Sequence, residues 1–327
     1  MQREHLDKVL SSYQHIGNVV YDMTTSSSAR DAHSLLRWFL LDMPIVPFLL
    51  AFHCTFAALN IHRVTSGRQF WLKTLVLTTF AAFGGSTLAN VLSGQPAPLF
   101  TVSSNYMMSY VTIAWYVINH SRAARAVLSF RPVLAVLAFG ATAAKVRSIL
   151  SFMDGFVVRF PDAVLGAVVL SGLAGSGGAL FVTLEKIVQD GLQTSSDFSN
   201  PGWSFKSAYL AACVYYVATD PVGWIAAHAP FATVTFDKEE VRFAVSLALC
   251  THAAFDTLYG RHVNPLYLVE EVLCALTGVR KPIMVEQVPT SLISSDRKEY
   301  AGKKDGGARK GKQGEGLRSR KDKARVH

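Results

Sequence analysis

Seven runs of apolar residues, each parted from the next by a short polar or charged segment, dominate the chain between positions 44 and 259. They cover Pro44–Ile61, Phe70–Leu92, Asn105–Asn119, Pro132–Phe152, Ala163–Leu184, Phe205–Thr219 and Val241–Tyr259. About 20 apolar residues of helix cross the hydrocarbon core of a bilayer. Each run is therefore expected to be a transmembrane helix, the third and sixth borrowing length from their polar ends. Residues 1–42 are mixed and are expected to form an N-terminal amphipathic segment, with "SLLRWFLLDM" lying at an interface. The seven-run domain spans 43–262. A further segment, 263–294, contains the amphipathic stretch Pro265–Gly278, which is too short and too acidic to span. Residues 295–327 have almost no apolar side chains and are expected to be a disordered tail.

Composition agrees with this pattern. Hydrophobic residues make up 50% of the 327 positions and charged ones 17%, below the roughly one quarter of a soluble domain. The net charge of +9 is not a property of the whole chain. The stretch Asp296–His327 holds twelve Lys/Arg against five Asp/Glu, so the rest is close to neutral. Such a tail suits a solvated cytosolic arm, attraction to anionic lipid or a retention signal, and its place on a membrane protein argues against nucleic acid. Cys54, Cys213, Cys250 and Cys274 lie scattered in apolar stretches without CxxC spacing and read as free thiols. There is no metal-ligand spacing, catalytic triad order or phosphate-cradling loop, so no enzyme is indicated.

Loop charges orient the domain. Arg63 and Arg68, then Arg122, Arg125 and Arg131, then Lys186 and Lys206, fall in loops on the same side as the basic tail. The loop "SGQPAPLFTVSS" on the other side has no Lys or Arg. The positive-inside rule then places the C-terminus in the cytosol and, with seven spans, the N-terminus on the far side.

Two of the runs share a feature. The second contains Gly84-Gly85 and the fifth Gly177-Gly178, both near mid-span. Superposing the pairs sets Leu88 on Phe181 and Asn90 on Thr183. A three-helix unit repeated after three spans must insert upside down, so the sequence predicts two inverted three-helix repeats plus a seventh helix. Adjacent glycines can break or kink a helix and so expose backbone to a polar path, with Asn90 and Thr183 as candidate lining. They can equally permit close helix packing through small residues.

In the fourth run Lys145 and Arg147 stand in apolar sequence with no adjacent acid. A mid-membrane cation costs roughly 2.5–3.5 kcal/mol on insertion scales and usually faces a cavity or a partner. Lys145 and Arg147 are therefore candidates for binding lipid phosphate, sensing voltage or setting a barrier to ions; snorkelling to a headgroup is the alternative. In the seventh run His252 and Asp256 share a helical face and suit a buried pair. Glu185 and Lys186 end the fifth run and are placed at the interface.

Five segments together resemble the trimeric intracellular cation (TRIC) channels. "FGGSTLANVLSGQPAP" is similar to that family's Gly-Gly helix with its Gly-x-Pro turn, and "NYMMSYVTIAWYVINHS" to its third helix. "FRPVLAVLAFG" resembles the Phe-x-Pro-Val start of the fourth, "LAGSGGALFVTLEKIV" the Gly-rich fifth, and "VNPLYLVEEVLCALTG" the acidic segment after the seventh. The resemblance implies a homotrimer in endoplasmic or sarcoplasmic reticulum, with one potassium-conducting pore per protomer. Its current would balance charge when calcium leaves the store, and a phosphoinositide would bind near the pore. No other cofactor is implied. The family's fourth helix carries a lysine nine positions after the proline; that position here is Ala141, so the motif lysine is absent and Lys145 falls at the motif's second basic position. Two other functions fit the same pattern: a secondary transporter on the inverted repeat, and a non-conducting scaffold acting through its tail.

Overall fold

The computed structural model describes residues 29–65, 70–101, 104–190, 202–228, 236–260 and 265–266. The chain divides into two units, Met1–Glu271 and Val272–His327, and all of these residues belong to the first. The tail and Cys274 lie outside the described residues, as does nearly all of 263–294.

The described residues are helical, with no strand among them. The elements are α1 (Ala29–Arg37), α2 (Leu50–Thr65), α3 (Trp71–Leu92), α4 (Ser104–His120), α5 (Arg122–Ser129), α6 (Arg131–Arg159), α7 (Val164–Asp190), α8 (Trp203–Thr219), α9 (Trp224–His228) and α10 (Lys238–Tyr259). Two wide π-helical turns, Trp38–Asp42 and Ile45–Leu49, join α1 to α2. Each apolar run of the sequence has a helix. Five helical stretches are long and apolar enough to cross a membrane: Ile45–Thr65, α3, α6, Val164–Glu185 of α7, and α10. Helices α4 and α8 have 17 residues each.

Local chemistry sets the ends. Asp237 accepts hydrogen bonds from the Glu239 and Glu240 amides and so starts α10. Gly260, at φ 63°, ends it in the left-handed region. Pro132 sits in the first turn of α6, where its missing N–H is not needed. Asp220 adopts φ 36° beyond α8, and its carboxylate takes the Ile225 and Ala226 amides at 3.0 and 2.9 Å, opening α9.

α6 is the central helix and contributes to three apolar clusters. Leu134 and Leu137 pack with Cys54, Phe83, Val111 and Ile118 of α2–α4. Ile149 and Met153 pack with Ala208, Tyr215 and Val245 of α8 and α10. Ala143 packs with Leu40, Met43, Phe243 and Cys250. Large apolar side chains such as Ile113, Val136, Val158 and Leu165 face outward, as suits a helix bathed in lipid.

One sequence boundary changes. The fourth run, expected to end at Phe152, continues as helix to Arg159 because the carboxylate at Asp154 is satisfied by partners on other helices. In the stretch 34–43 Leu40 is fully buried, and Phe39 packs on Phe52 and Phe139.

Candidate functional site

The glycine pairs of α3 and α7 meet each other. A methyl group on Gly85 would lie 2.7 Å from the Leu173 carbonyl oxygen and 2.8 Å from the Gly177 nitrogen. One on Gly177 would strike the Gly85 Cα, and one on Gly178 the Ala81 carbonyl. These are backbone-to-backbone approaches that only glycine permits. Position 73 pairs with 185, 81 with 178 and 85 with 174, so the two helices run antiparallel.

Neither helix is broken at its glycines. The expectation of helix breaks at Gly84, Gly85, Gly177 and Gly178 is corrected: α3 and α7 run without interruption through all four. Each glycine weakens a helix by about 1 kcal/mol, a loss that packing of the two backbones over the crossing offsets. Asn90 and Thr183 turn back onto their own helices: Asn90 donates to the Ser86 carbonyl at 2.7 Å and Thr183 to the Ala179 carbonyl at 3.0 Å. On the same two helices, Thr87 Oγ1 and Ser171 Oγ are buried and, among the described residues, have no hydrogen-bond partner.

Along one direction from the crossing, the seam is closed in two layers. The Gly84 face is covered by the Phe181 ring, which stacks on Phe80 at 4.7 Å between centroids. Beyond them Lys73 Nζ meets Glu185 Oε1 at 2.5 Å.

The two cations of α6 lie on other contacts. Lys145 is half-buried and donates to the Ser204 carbonyl at 2.5 Å and its hydroxyl at 3.1 Å, in the first turn of α8. Arg147 donates to the Met43 carbonyl between the two π-helical turns. Both therefore satisfy themselves on backbone oxygens, a neutral way to seat a cation in apolar surroundings. Ala141, at the position of the missing motif lysine, is 4% exposed.

A set of polar residues not singled out in the sequence joins three helices. Arg242 of α10 pairs with Asp154 of α6, and Tyr215 of α8 donates to both Asp154 oxygens at 3.0 and 3.1 Å. Arg242 also reaches the Tyr215 hydroxyl at 3.3 Å and Glu239 at 3.1 Å. The available signal was the apolar run that resumes after Asp154, at Phe156–Val158; an acid inside such a run needs a partner. Further cross-helix bonds link His53 to the Ala82 carbonyl at 2.8 Å, His62 to Asn119 at 3.0 Å and Trp115 to Thr74 at 2.9 Å. The rings of His252 and Trp203 lie 4.8 Å apart between centroids, tilted by 43°. Among the described residues no cluster could hold a metal ion.

A protein-family model described as TRIC channel matches residues 66–239, more than half of the chain. The chain belongs to the TRIC channel family. It is a multi-pass membrane protein of that family, and the match runs from just before α3 into the first turn of α10. Among solved structures the fold is similar to a trimeric intracellular cation channel from C. elegans in the absence of Ca2+. That likeness has a TM-score of 0.54 and 16% identity over 69% of this chain and 97% of the other. The C. elegans channel with bound Ca2+ gives 0.53 and 16%, over 68% and 94%. A structure described as the basis for activity of TRIC counter-ion channels in calcium release gives 0.56 and 16%, over 67% and 96%. Comparison with curated proteins finds no match. At this identity the structural likeness speaks for the TRIC fold, and the family membership rests on the sequence match.

Proposed function

We propose that this TRIC-family chain is a potassium channel of the endoplasmic or sarcoplasmic reticulum, a homotrimer whose protomers each conduct. Its current supplies counter-ions as calcium leaves the store. The observation that carries the reading is the antiparallel crossing of α3 and α7 at paired glycines within a TRIC-family sequence. Backbones in direct contact, without side chains between them, form a seam that a small rotation can part. Glycine carbonyls and the buried hydroxyls of Thr87 and Ser171 would then face an ion.

Two inverted three-helix repeats are supported by the packing. Exchanging α2 with α6, α3 with α7 and α4 with α8 carries the contact α2–α3 onto α6–α7, α3–α4 onto α7–α8 and α2–α4 onto α6–α8. The contacts α2–α6 and α3–α7 map onto themselves. With α10 as the seventh helix, the loop charges put the C-terminus in the cytosol. Lys145 and Arg147 serve as gating or anionic-lipid positions, phosphoinositide being the lipid, and Asn90 and Thr183 line the opened path.

The test is reconstitution of the purified protein in planar bilayers in potassium solutions, with and without phosphoinositide, alongside a mass measurement of the assembly. Stepwise single-channel currents carried by potassium, from a trimer, are expected. Smooth, substrate-saturable flux without steps would assign a carrier. Activity that vanishes on deleting Asp296–His327 in a protein with no flux would assign a scaffold.

A further inference from the structure

Between Asp42 and Asp154 the chain has no acidic residue, and much of the positive charge of this stretch gathers at one end of the first repeat. There α2 and α4 finish and α3 begins: His62 bonds to Asn119 across α2 and α4, and Trp115 of α4 reaches Thr74 of α3. Arg125 of α5 donates to the Ile118 and Asn119 carbonyls at 2.5 and 2.9 Å and so ties α5 to the end of α4. Leu128 packs against the core of α2–α4. The other side of α5 and the turn after it are exposed at Arg122, Val127, Phe130 and Arg131, as is Arg63 in the last turn of α2. Among the described residues Arg63, Arg122 and Arg131 have no hydrogen bond or ion pair.

A row of rings lies beside these cations. Trp71 is 6.3 Å from Trp115, Trp115 is 5.8 Å from His120, and His120 stacks on Tyr116 at 4.3 Å. Trp71 and Tyr116 are exposed, and His120 leads through Ser121 into Arg122. Exposed indole and phenol rings at helix ends suit the headgroup level of a bilayer. At that level an arginine stem lies along lipid while its guanidinium meets an anionic oxygen. The matching turns of the second repeat, after α6 and after α8, hold Asp162 and Asp220 instead. The positive end is thus not imposed by the repeat.

We infer that the corner of α2, α4 and α5 is a docking surface for anionic phospholipid. Arg63, Arg122 and Arg131 engage the headgroups, and Trp71, Tyr116 and Phe130 seat among the acyl chains. The surface is separate from Lys145 and Arg147, which the Ser204 and Met43 carbonyls hold, and from the basic tail. It does not rest on the conduction reading; the loop charges only assign it to the cytosolic leaflet. Cations that serve solely to orient the chain during insertion need no lipid partner in the finished fold, and this difference can be measured.

The test is tryptophan quenching by brominated lipid in phosphatidylcholine vesicles holding the full-length protein, the Trp71 signal being the part lost in Trp71→Phe. At equal bromine content, brominated phosphatidylserine should be preferred over brominated phosphatidylcholine by about fivefold or more in about 50 mM salt. The preference should fall toward unity at 1 M salt, where screening acts over about 3 Å. Arg63→Gln/Arg122→Gln/Arg131→Gln should reduce it to about twofold or less, and the same three positions changed to Lys should keep it. Deleting Asp296–His327 should leave it unchanged. Should the Gln variant not insert, the wild-type preference and its loss at 1 M salt still decide. Equal quenching by the two lipids, a preference that survives 1 M salt or the Gln variant, or one that disappears with the tail, overturns the inference. A Trp71 that neither lipid quenches, as beneath a second copy of the chain, overturns it too.

Discussion

Asp154 and Arg242 form an ion pair between α6 and α10, and Tyr215 of α8 closes it with two hydrogen bonds to the same carboxylate. Three helices from separate parts of the chain are thereby fixed at one level. Both charged side chains are part-exposed, at 24% for Asp154 and 33% for Arg242, so the pair is neither fully desolvated nor freely screened.

Removal of both partners should therefore cost less than the two single removals added together. Asp154→Asn leaves Arg242 with Glu239 and the Tyr215 hydroxyl, and should lower stability by about 1–3 kcal/mol. Asp154→Asn/Arg242→Gln should fall short of the sum of the single losses. Thermal unfolding of the detergent-solubilised protein for the two singles and the double gives the coupling.

The glycines should divide by what each one faces. Gly85→Ala and Gly177→Ala drive a methyl group into backbone and should cost about 2–3 kcal/mol or more, since neither helix can yield without parting from the other. Gly84→Ala meets only the ring of Phe181 and should be milder. Pairing it with Phe181→Leu should recover part of the loss, whereas the same second change should not rescue Gly85→Ala. Yield of folded protein and melting temperature report the contrast.

Lys145 should depend on the Ser204 backbone more than on its side chain. The shorter contact is to the carbonyl, at 2.5 Å against 3.1 Å for the hydroxyl. Ser204→Ala is thus expected to leave voltage dependence within error of wild type, while Lys145→Gln shifts it in bilayer recordings. Unchanged conductance, voltage dependence and phosphoinositide binding in Lys145→Gln would remove Lys145 from the mechanism.

The indole of Trp115 holds α4 to α3 through the Thr74 hydroxyl, with both residues buried. Trp115→Phe and Thr74→Val should each cost about 1 kcal/mol from this bond alone, beyond any packing loss. A double-mutant cycle should return a coupling of about 0.5–1.5 kcal/mol.

The positions of the helices were legible because lipid and water sort residues along the chain on the scale of a helix. Runs near 20 apolar residues and Pro132 at a helix start act within a few positions along the chain. The orientation of Lys145 was not legible, since its partner is 59 positions away and is a backbone oxygen, which every residue carries. Asp154 was passed over for the same reason: an acid that ends a helix and an acid that continues one differ only in whether Tyr215 and Arg242 are there to meet it.

The glycine pairs mark the division most clearly. That Gly84-Gly85 and Gly177-Gly178 occupy matching places in two apolar runs, and that TRIC-like segments follow one another in order, can be read along the chain. Whether those glycines break the helices or bring them together depends on what packs against them. A missing side chain frees the backbone in an isolated helix, but it also lets a second backbone approach, and here α3 and α7 fill each other's gap, with both helices continuing through.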